Sequence, residues 1–475
     1  MQSSKPIINP SIFREYDIRG IAGKDLSPEF AYHLGNAYAR SLRKHFPKYT
    51  NMHPKIGVGR DCRLTGESYA TALIQGLLDS GCHVVRIGVC PTPLTYFSLF
   101  HLHLDGAIMV TGSHNPSDYN GFKICMEKDT IHGKDILELR DLMEKGFVAP
   151  PGLTKGDLSE FDIIPAYIEH IVRATPNIRK MRIVLDAGNG TAATVAPPLF
   201  ERLGSEVIPL FCELDGRFPN HHPDPTVPKN LVQLIEKVKE TRANFGVAFD
   251  GDADRIGVVD EAGRIIYGDE LMIILARAVL KTSPGSVVIS EVKSSHRLYQ
   301  DIAANGGKPI MWKTGHSLIK AKMKETKAAL AGEMSGHIFF ADRYFGYDDA
   351  IYAAVRFAEI ASDAKGPVSS LLAGVTPVVA TPEIRLDCEE NKKFALVAET
   401  KKRLTSYQIN DIDGVRVDFG DAWGLVRASN TQPVLVLRFE APTEARLTEV
   451  RGIVEGALSD AAKQLGHPPL HASDH

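Results

Sequence analysis

The sequence predicts an α/β protein of three related strand–helix units followed by a smaller α+β unit. Three observations carry this expectation. Short apolar runs alternate with segments of helical spacing through residues 20–145, again from Ile164 and again from Gly268. Each of these stretches sets a polar, glycine-bearing signature directly after an apolar strand-like run. Past a connector at 364–380 the pattern changes to one strand, one helix, several short strands and a last helix.

In the first unit Phe30–Phe46 has helical spacing, and Lys55–Gly59 is a short strand ending in Arg60 and Asp61. Ser68–Ser80 is an amphipathic helix stopped by Gly81; His83–Ile87 and Leu104–Val110 are strands. Such alternation implies a parallel, helix-covered sheet. Residues 149–160, opening with Ala149-Pro150-Pro151-Gly152, read as a linker. The second unit runs from the helix Ile164–Ala174 through the strands Met181–Asp186 and Glu206–Phe211. The helix Asn230–Arg242 and the strand Asn244–Phe249 complete it. The third has strands Ser286–Glu291 and Pro309–Trp312 and closes with the helix Asp349–Asp363. The fourth reads strand Glu383–Asp387, helix Asn391–Ser406, short strands within Gly414–Phe439 and helix Leu447–Gly466, with His467–His475 as a frayed tail. The expected domains are therefore 1–157, 158–264, 265–372 and 373–475. In open α/β sheets ligands bind beyond the carboxyl ends of the strands, so three such units meeting there would form one cleft.

Bulk properties narrow the function. A chain of 475 residues is too long for one core. A net charge of -3 offers no overall attraction to a polyanion, so nucleic acid is not an expected partner. The six cysteines form no CxxC pair, and Cys82 and Cys90 read as reduced core thiols, as in a reducing cytoplasm. No apolar h-region follows Met1–Pro6, so no signal peptide is expected. No apolar run approaches the roughly 20 residues that span a bilayer; Leu271–Leu280 is interrupted by Arg277. A cytoplasmic chain without a membrane partner is expected.

Four loops could carry chemistry. Thr111-Gly112-Ser113-His114-Asn115-Pro116 puts a serine hydroxyl on a turn bounded by glycine and proline, with His114 beside it and Lys123 shortly after. A lone serine in such a turn is more often an N-cap than a nucleophile. Lys123 could neutralise a phosphate or move a proton. Asp250-Gly251-Asp252-Ala253-Asp254-Arg255 presents three carboxylates at alternate positions. These repel one another without a cation and, as hard oxygen ligands, suit Mg²⁺ completed by a substrate phosphate. Arg255 could salt-bridge an aspartate or hold a phosphate. Gly332-Glu333-Met334-Ser335-Gly336-His337 offers Glu333 and Ser335 for paired sugar hydroxyls and His337 for proton transfer near neutral pH. Arg427-Ala428-Ser429-Asn430-Thr431-Gln432-Pro433 joins an arginine to hydroxyl and amide donors, a composition that suits a phosphate. A serine nucleophile and an oxygen-ligand metal site together point to phosphoryl transfer through a phosphoserine, to water or to a sugar.

In this order, and with Phe13–Gly20 ahead of them, the four motifs resemble those of the α-D-phosphohexomutase family, within it the bacterial phosphomannomutase/phosphoglucomutase group. The resemblance covers nearly the whole chain. It implies three related α/β domains and a smaller α+β C-terminal domain, heart-shaped around a central cleft. It also implies that Ser113 carries the phosphoryl group and that Asp250, Asp252 and Asp254 bind one Mg²⁺ with it. Glu333 and Ser335 would contact the sugar, and Arg427, Ser429, Asn430 and Thr431 the non-reacting phosphate. Tyr16, Arg19, Lys123, Lys293, His316 and His337 match positions that line the cleft in relatives, with Arg19, Lys123 and His337 on the catalytic side. The implied reaction interconverts hexose 1- and 6-phosphates through a 1,6-bisphosphate, with glucose 1,6-bisphosphate as activator and sugar phosphates as the partners. Met334 resembles the mannose/glucose group; phosphoglucosamine mutases carry Gln there, which leaves that activity, or a non-catalytic sugar-phosphate-binding homologue, as the alternative. A monomer is expected, with a dimer as the alternative.

Overall fold

The computed structural model describes residues 6–175, 178–430 and 432–471. The first helix shows how the local sequence fixes an element. Ser27 accepts from the Phe30 amide as N-cap, Pro28 occupies the first turn, and Arg43, Lys44 and His45 face the carbonyl end of the dipole over Pro28–His45.

The sheet of the first unit runs in the order Ile18–Ile21, Tyr119–Met126, Gly106–Val110, Lys55–Arg60, His83–Val89, Leu158–Glu160, with Asp129–Thr130 beside Tyr119–Met126. The second is Ile265–Ile266, Ile256–Asp260, Phe245–Phe249, Arg182–Asp186, Glu206–Leu210. The third is Lys308–Trp312, Val287–Glu291, Leu330–Gly332, Ile338–Phe340. The fourth unit is antiparallel throughout, centred on Val434–Ala441 and Trp423–Ala428.

The expectation of wholly parallel sheets needs correction. Each of the first three sheets has a parallel centre and then an antiparallel hairpin: Gly106–Val110 with Tyr119–Met126, Phe245–Phe249 with Ile256–Asp260, and Leu330–Gly332 with Ile338–Phe340. A parallel return needs a crossover of roughly a dozen residues or more, which these loops lack. The loops joining the three hairpins hold the serine, acidic and Glu333 signatures, so the repeat of architecture is also a repeat of site position.

Two segments read as connectors are built into sheets. Leu158–Glu160 pairs parallel with His83–Val89, so the first sheet extends past residue 157. Val379–Ala380 pairs with Val434–Ala441, which seats the end of the 364–380 connector in the fourth sheet.

One continuous core joins the first three units through the helices Thr92–His101, Ile163–Ala174, Gly268–Thr282 and Ala350–Asp363. The fourth unit has a core of its own. A small cluster of Val292, Trp423 and Leu425 links it to the third. Among the described residues no helix is long and apolar enough to cross a membrane.

Candidate active site

Ser113 is buried and sits at φ 50°, in the left-handed region that L-residues seldom adopt outside glycine. Its amide donates to Thr111 Oγ1 at 2.8 Å and its Oγ donates to Asp250 Oδ2 at 3.0 Å. His114 Nδ1 lies 3.3 Å from the same Oγ. Burial, with Arg255 and Arg19 near it, lowers the His114 pKa well below the usual histidine value. Strain of this kind in a buried serine belongs to sites whose surroundings over-determine the geometry. Gly251 makes the contact between the first two units possible: a Cβ there would stand 2.6 Å from the Ser113 carbonyl oxygen.

The acidic loop closes tightly, with Ala253 at φ 57° and the amides of Asp254 and Arg255 donating to Asp250 Oδ1 at 3.0 and 3.1 Å. Asp250, Asp252 and Asp254 are fully buried. Lys123 Nζ, also buried, donates to Asp252 Oδ2 at 2.6 Å and to Asp254 Oδ2. Thr92 Oγ1 donates to Asp252 Oδ2 at 2.5 Å. Burial and the neighbouring charges of Asp252 and Asp254 raise Asp250 well above the usual carboxylate range. Burial also works to raise Asp252, but Lys123 outweighs it and the carboxyl is lowered.

The chemistry of a hard divalent cation fits this loop. The three carboxylates offer oxygens within 4.8 Å of one another. Asp252 Oδ1 and Asp254 Oδ1 are buried without a hydrogen-bond partner. Orphaned anionic oxygens at the centre of an all-oxygen donor set are what such an ion satisfies. Asp254, His337 and Asp348 form a second close group. Lys320 Nζ, 3.0 Å from Asp348 Oδ1, already supplies charge there, and His337 Nδ1 faces Asp348 Oδ2 at 3.2 Å.

The loop of the third unit is laced to the acidic hairpin. The Ile256 amide donates to the Gly336 carbonyl at 3.0 Å, and a Cβ on Gly336 would lie 2.4 Å from the Ile256 carbonyl oxygen. Arg255 Nε donates to His337 Nε2 at 3.0 Å. Guanidinium cannot accept, so Nε2 carries the lone pair and Nδ1 the proton facing Asp348. Glu333 is buried and takes the Gly315 amide at 2.7 Å; burial raises its pKa. Ser335 is half-buried on the same turn.

The fourth-unit loop lies across from these. Arg427 is buried and its Nε donates to Asp413 Oδ2 at 3.1 Å. Ser429 is buried, and its Oγ takes the Gln432 amide at 3.1 Å. Asn430 Nδ2 donates to the Tyr16 hydroxyl at 3.1 Å, which in turn donates to the Thr314 carbonyl at 2.7 Å. Lys293 Nζ pairs with Glu383 at 3.0 Å. Burial would lower that ammonium, but Glu383 and Glu291 raise it instead. Against its own burial, Lys293 and Arg385 bring Glu383 down to about 2. Thr431 lies outside the described residues.

Two bonded groups result. One holds Ser113, His114, Lys123, the three aspartates, Arg255 and His337; Arg19 joins it through Asn115 on the serine loop at 2.5 Å. The other holds Tyr16, Arg427 and Asn430, with Glu333, Lys293 and Ser429 beside them. His316 links the two: its ring stands 5.5 Å from that of His337 and 5.7 Å from that of Tyr16.

Four profiles of one family cover this chain: phosphoglucomutase/phosphomannomutase α/β/α domain I over residues 10–146, domain II over 165–263, domain III over 267–378 and the C-terminal domain over 383–457. The chain belongs to the phosphoglucomutase/phosphomannomutase family. The phosphomannomutase/phosphoglucomutase of Pseudomonas aeruginosa is 46% identical over 98% of each chain. A phosphoglucomutase of Neisseria gonorrhoeae is 45% identical over 94% of this chain and 96% of its own. The crystal structure of a family protein from Burkholderia thailandensis superposes with a TM-score of 0.89 at 40% identity, over 98% of this chain and 100% of that one.

Several residues around the site escape motif reasoning. Asp61 and Arg63 lie under the serine loop, Thr92 touches Asp252, Asp348 touches His337, and Asp413 touches Arg427. The one sequence signal was the charged pair Arg60-Asp61 at the carboxyl end of a predicted strand.

Proposed function

We propose that the chain is a phosphohexomutase that interconverts hexose 1-phosphates and hexose 6-phosphates of mannose and glucose. It would act through a phosphoserine at Ser113 and a hexose 1,6-bisphosphate. The observation that carries this is the pairing of two unlike sites, one reactive around Ser113 and one built on Arg427 and Lys293 with their carboxylate partners Asp413 and Glu383, joined through His316. A phosphatase needs only the first. A mutase needs both, because the sugar presents either end to the serine while the other phosphate is held.

In the first half-reaction the free sugar hydroxyl attacks the phosphorus on Ser113. The P–O bond to the sugar forms as the bond to Ser113 Oγ breaks, and the hydroxyl proton passes to His337 Nε2 as that nitrogen gives up the hydrogen bond it accepts from Arg255 Nε. Lys123 and Arg19 supply positive charge beside the transferring group. Mg²⁺, held by Asp250, Asp252, Asp254 and the phosphorylated Ser113, would add Lewis-acid stabilisation when bound. After the bisphosphate turns over, Ser113 recovers its phosphate from the other end and His337 returns the proton to the departing sugar oxygen. Glu333 and Ser335 hold sugar hydroxyls. Arg427, Ser429, Asn430, Thr431, Lys293, Tyr16 and His316 hold the distal phosphate. Glucose 1,6-bisphosphate serves as activator by reloading Ser113. The enzyme is taken to work as a cytoplasmic monomer.

Arg427→Ala is expected to raise KM for both sugar phosphates by about 10- to 100-fold, since a charge-assisted hold on the distal phosphate is lost. Steady-state kinetics check this; an unchanged KM for both would remove residues 427–433 from the phosphate site. Chelation with EDTA is expected to abolish turnover and Mg²⁺ to restore it, whereas activity retained in chelator would count against the Asp250–Asp254 assignment. The function itself is tested by a coupled assay with mannose 1-phosphate, glucose 1-phosphate and glucosamine 1-phosphate, given Mg²⁺ and a trace of glucose 1,6-bisphosphate. Comparable kcat/KM for the first two supports the proposal. Dominant glucosamine turnover would make the chain a phosphoglucosamine mutase, and no turnover would make it a binding protein.

A further inference from the structure

Beneath the reactive serine lies an arginine with no solvent exposure. The side chain of Arg63 is fully buried, and each of its donors is committed. Nη2 donates to the carbonyls of Ser113 at 2.8 Å and Asn115 at 2.5 Å. Nη1 donates to the carbonyls of Tyr119 at 2.9 Å and Pro116. Nε donates to Asp61 Oδ2 at 3.2 Å. A guanidinium has five N–H groups, and here all five point into the serine loop or its carboxylate partner. None is left for a phosphate, so Arg63 does not belong to the anion-binding cations of the cleft.

Asp61 completes the grip from the other side. Its Oδ2 accepts from Thr111 Oγ1 at 2.7 Å and from the Gly112 amide at 3.1 Å. Thr111 Oγ1 in turn accepts the Ser113 amide at 2.8 Å. The N–H of Ser113 is thus held through Thr111 by Asp61, and its C=O directly by Arg63. Gly112 admits the arginine, since a Cβ there would stand 2.5 Å from Arg63 Nε. The second unit covers the assembly: the Phe218 ring lies 5.1 Å from the guanidinium, and a Cβ on Gly216 would fall 2.4 Å from the Cys62 carbonyl oxygen.

From this geometry we infer that Asp61 and Arg63 are positioning residues for Ser113. They hold both peptide groups of a residue at φ 50° and so aim Oγ at Asp250. The inference rests on the phosphoserine reading above and deepens it. Lysine cannot replace the arginine, because three donors on one nitrogen cannot reach four carbonyls and a carboxylate arranged around a plane.

The test is a single-turnover measurement. Wild-type protein, Arg63→Lys and Thr111→Val are loaded with phosphate on Ser113 and mixed with glucose 1-phosphate. The transfer rate constant is followed by rapid quench, with phosphoserine occupancy from intact mass. A rate constant does not depend on how many molecules are folded, so it separates positioning from mere destabilisation. Arg63→Lys is expected to transfer about 100-fold more slowly with KM unchanged, the effect of a reacting atom misplaced by about an ångström. Thr111→Val, a near-isosteric change that loses one link of the chain to the Ser113 amide, is expected to slow transfer roughly tenfold. If Arg63→Lys does not fold, Thr111→Val decides. Rate constants within twofold of wild type, or losses confined to amplitude, would overturn the inference. A wild-type protein that does not load or transfer phosphate would instead refute the phosphoserine reading itself.

Discussion

Ser113→Ala is expected to reduce mutase turnover on the order of a million-fold, while glucose 1-phosphate still binds with about its wild-type affinity. The size follows from chemistry. Without Oγ the enzyme has no hydroxyl on which to store or receive the phosphoryl group, and the nearby amine of Lys123 is committed to Asp252 and Asp254. Binding survives because the groups around Arg427 and Lys293 do not contact Ser113. A coupled assay gives turnover and calorimetry gives affinity. Appreciable turnover by the alanine variant would exclude a phosphoserine mechanism, and lost affinity with intact kcat would move Ser113 to the binding side.

Asp252→Asn is expected to lower kcat by about 1,000-fold and to weaken divalent-cation binding. Asp252 is fully buried and holds Lys123 and Thr92 on one oxygen, while its other oxygen is an orphan facing the acidic cluster. The amide keeps the shape but removes the charge, so both the cation site and the anchoring of Lys123 weaken together. Titrating activity against Mg²⁺, with Mn²⁺ binding followed by electron paramagnetic resonance, resolves the two. An unchanged Mg²⁺ dependence would remove Asp252 from the metal site.

Much of this architecture is legible in the sequence, because the signatures are local. A glycine- or proline-bounded loop after an apolar strand announces itself within six residues, and the four motifs occur in the family's order. What escapes is what depends on space rather than spacing. Strand–helix alternation does not distinguish a parallel return from a hairpin, so Tyr119–Met126 and Ile256–Asp260 go unread as antiparallel partners. The helix Thr92–His101 is buried through most of its length and has no amphipathic period to detect. Arg63 serves backbone carbonyls fifty or more residues away in sequence, and Asp348 and Asp413 meet His337 and Arg427 only after folding. Nothing in local pattern marks an acidic residue as the partner of a distant base.

The most direct test of the central claim follows the phosphate itself. Protein loaded with ³²P on Ser113, verified on the peptide that contains it, is mixed with excess unlabelled glucose 1-phosphate for less than one turnover and quenched. The account predicts label leaving Ser113 and appearing in hexose 1,6-bisphosphate and then hexose 6-phosphate, with little inorganic phosphate. Label released to water, or label that never resides on Ser113, would contradict it.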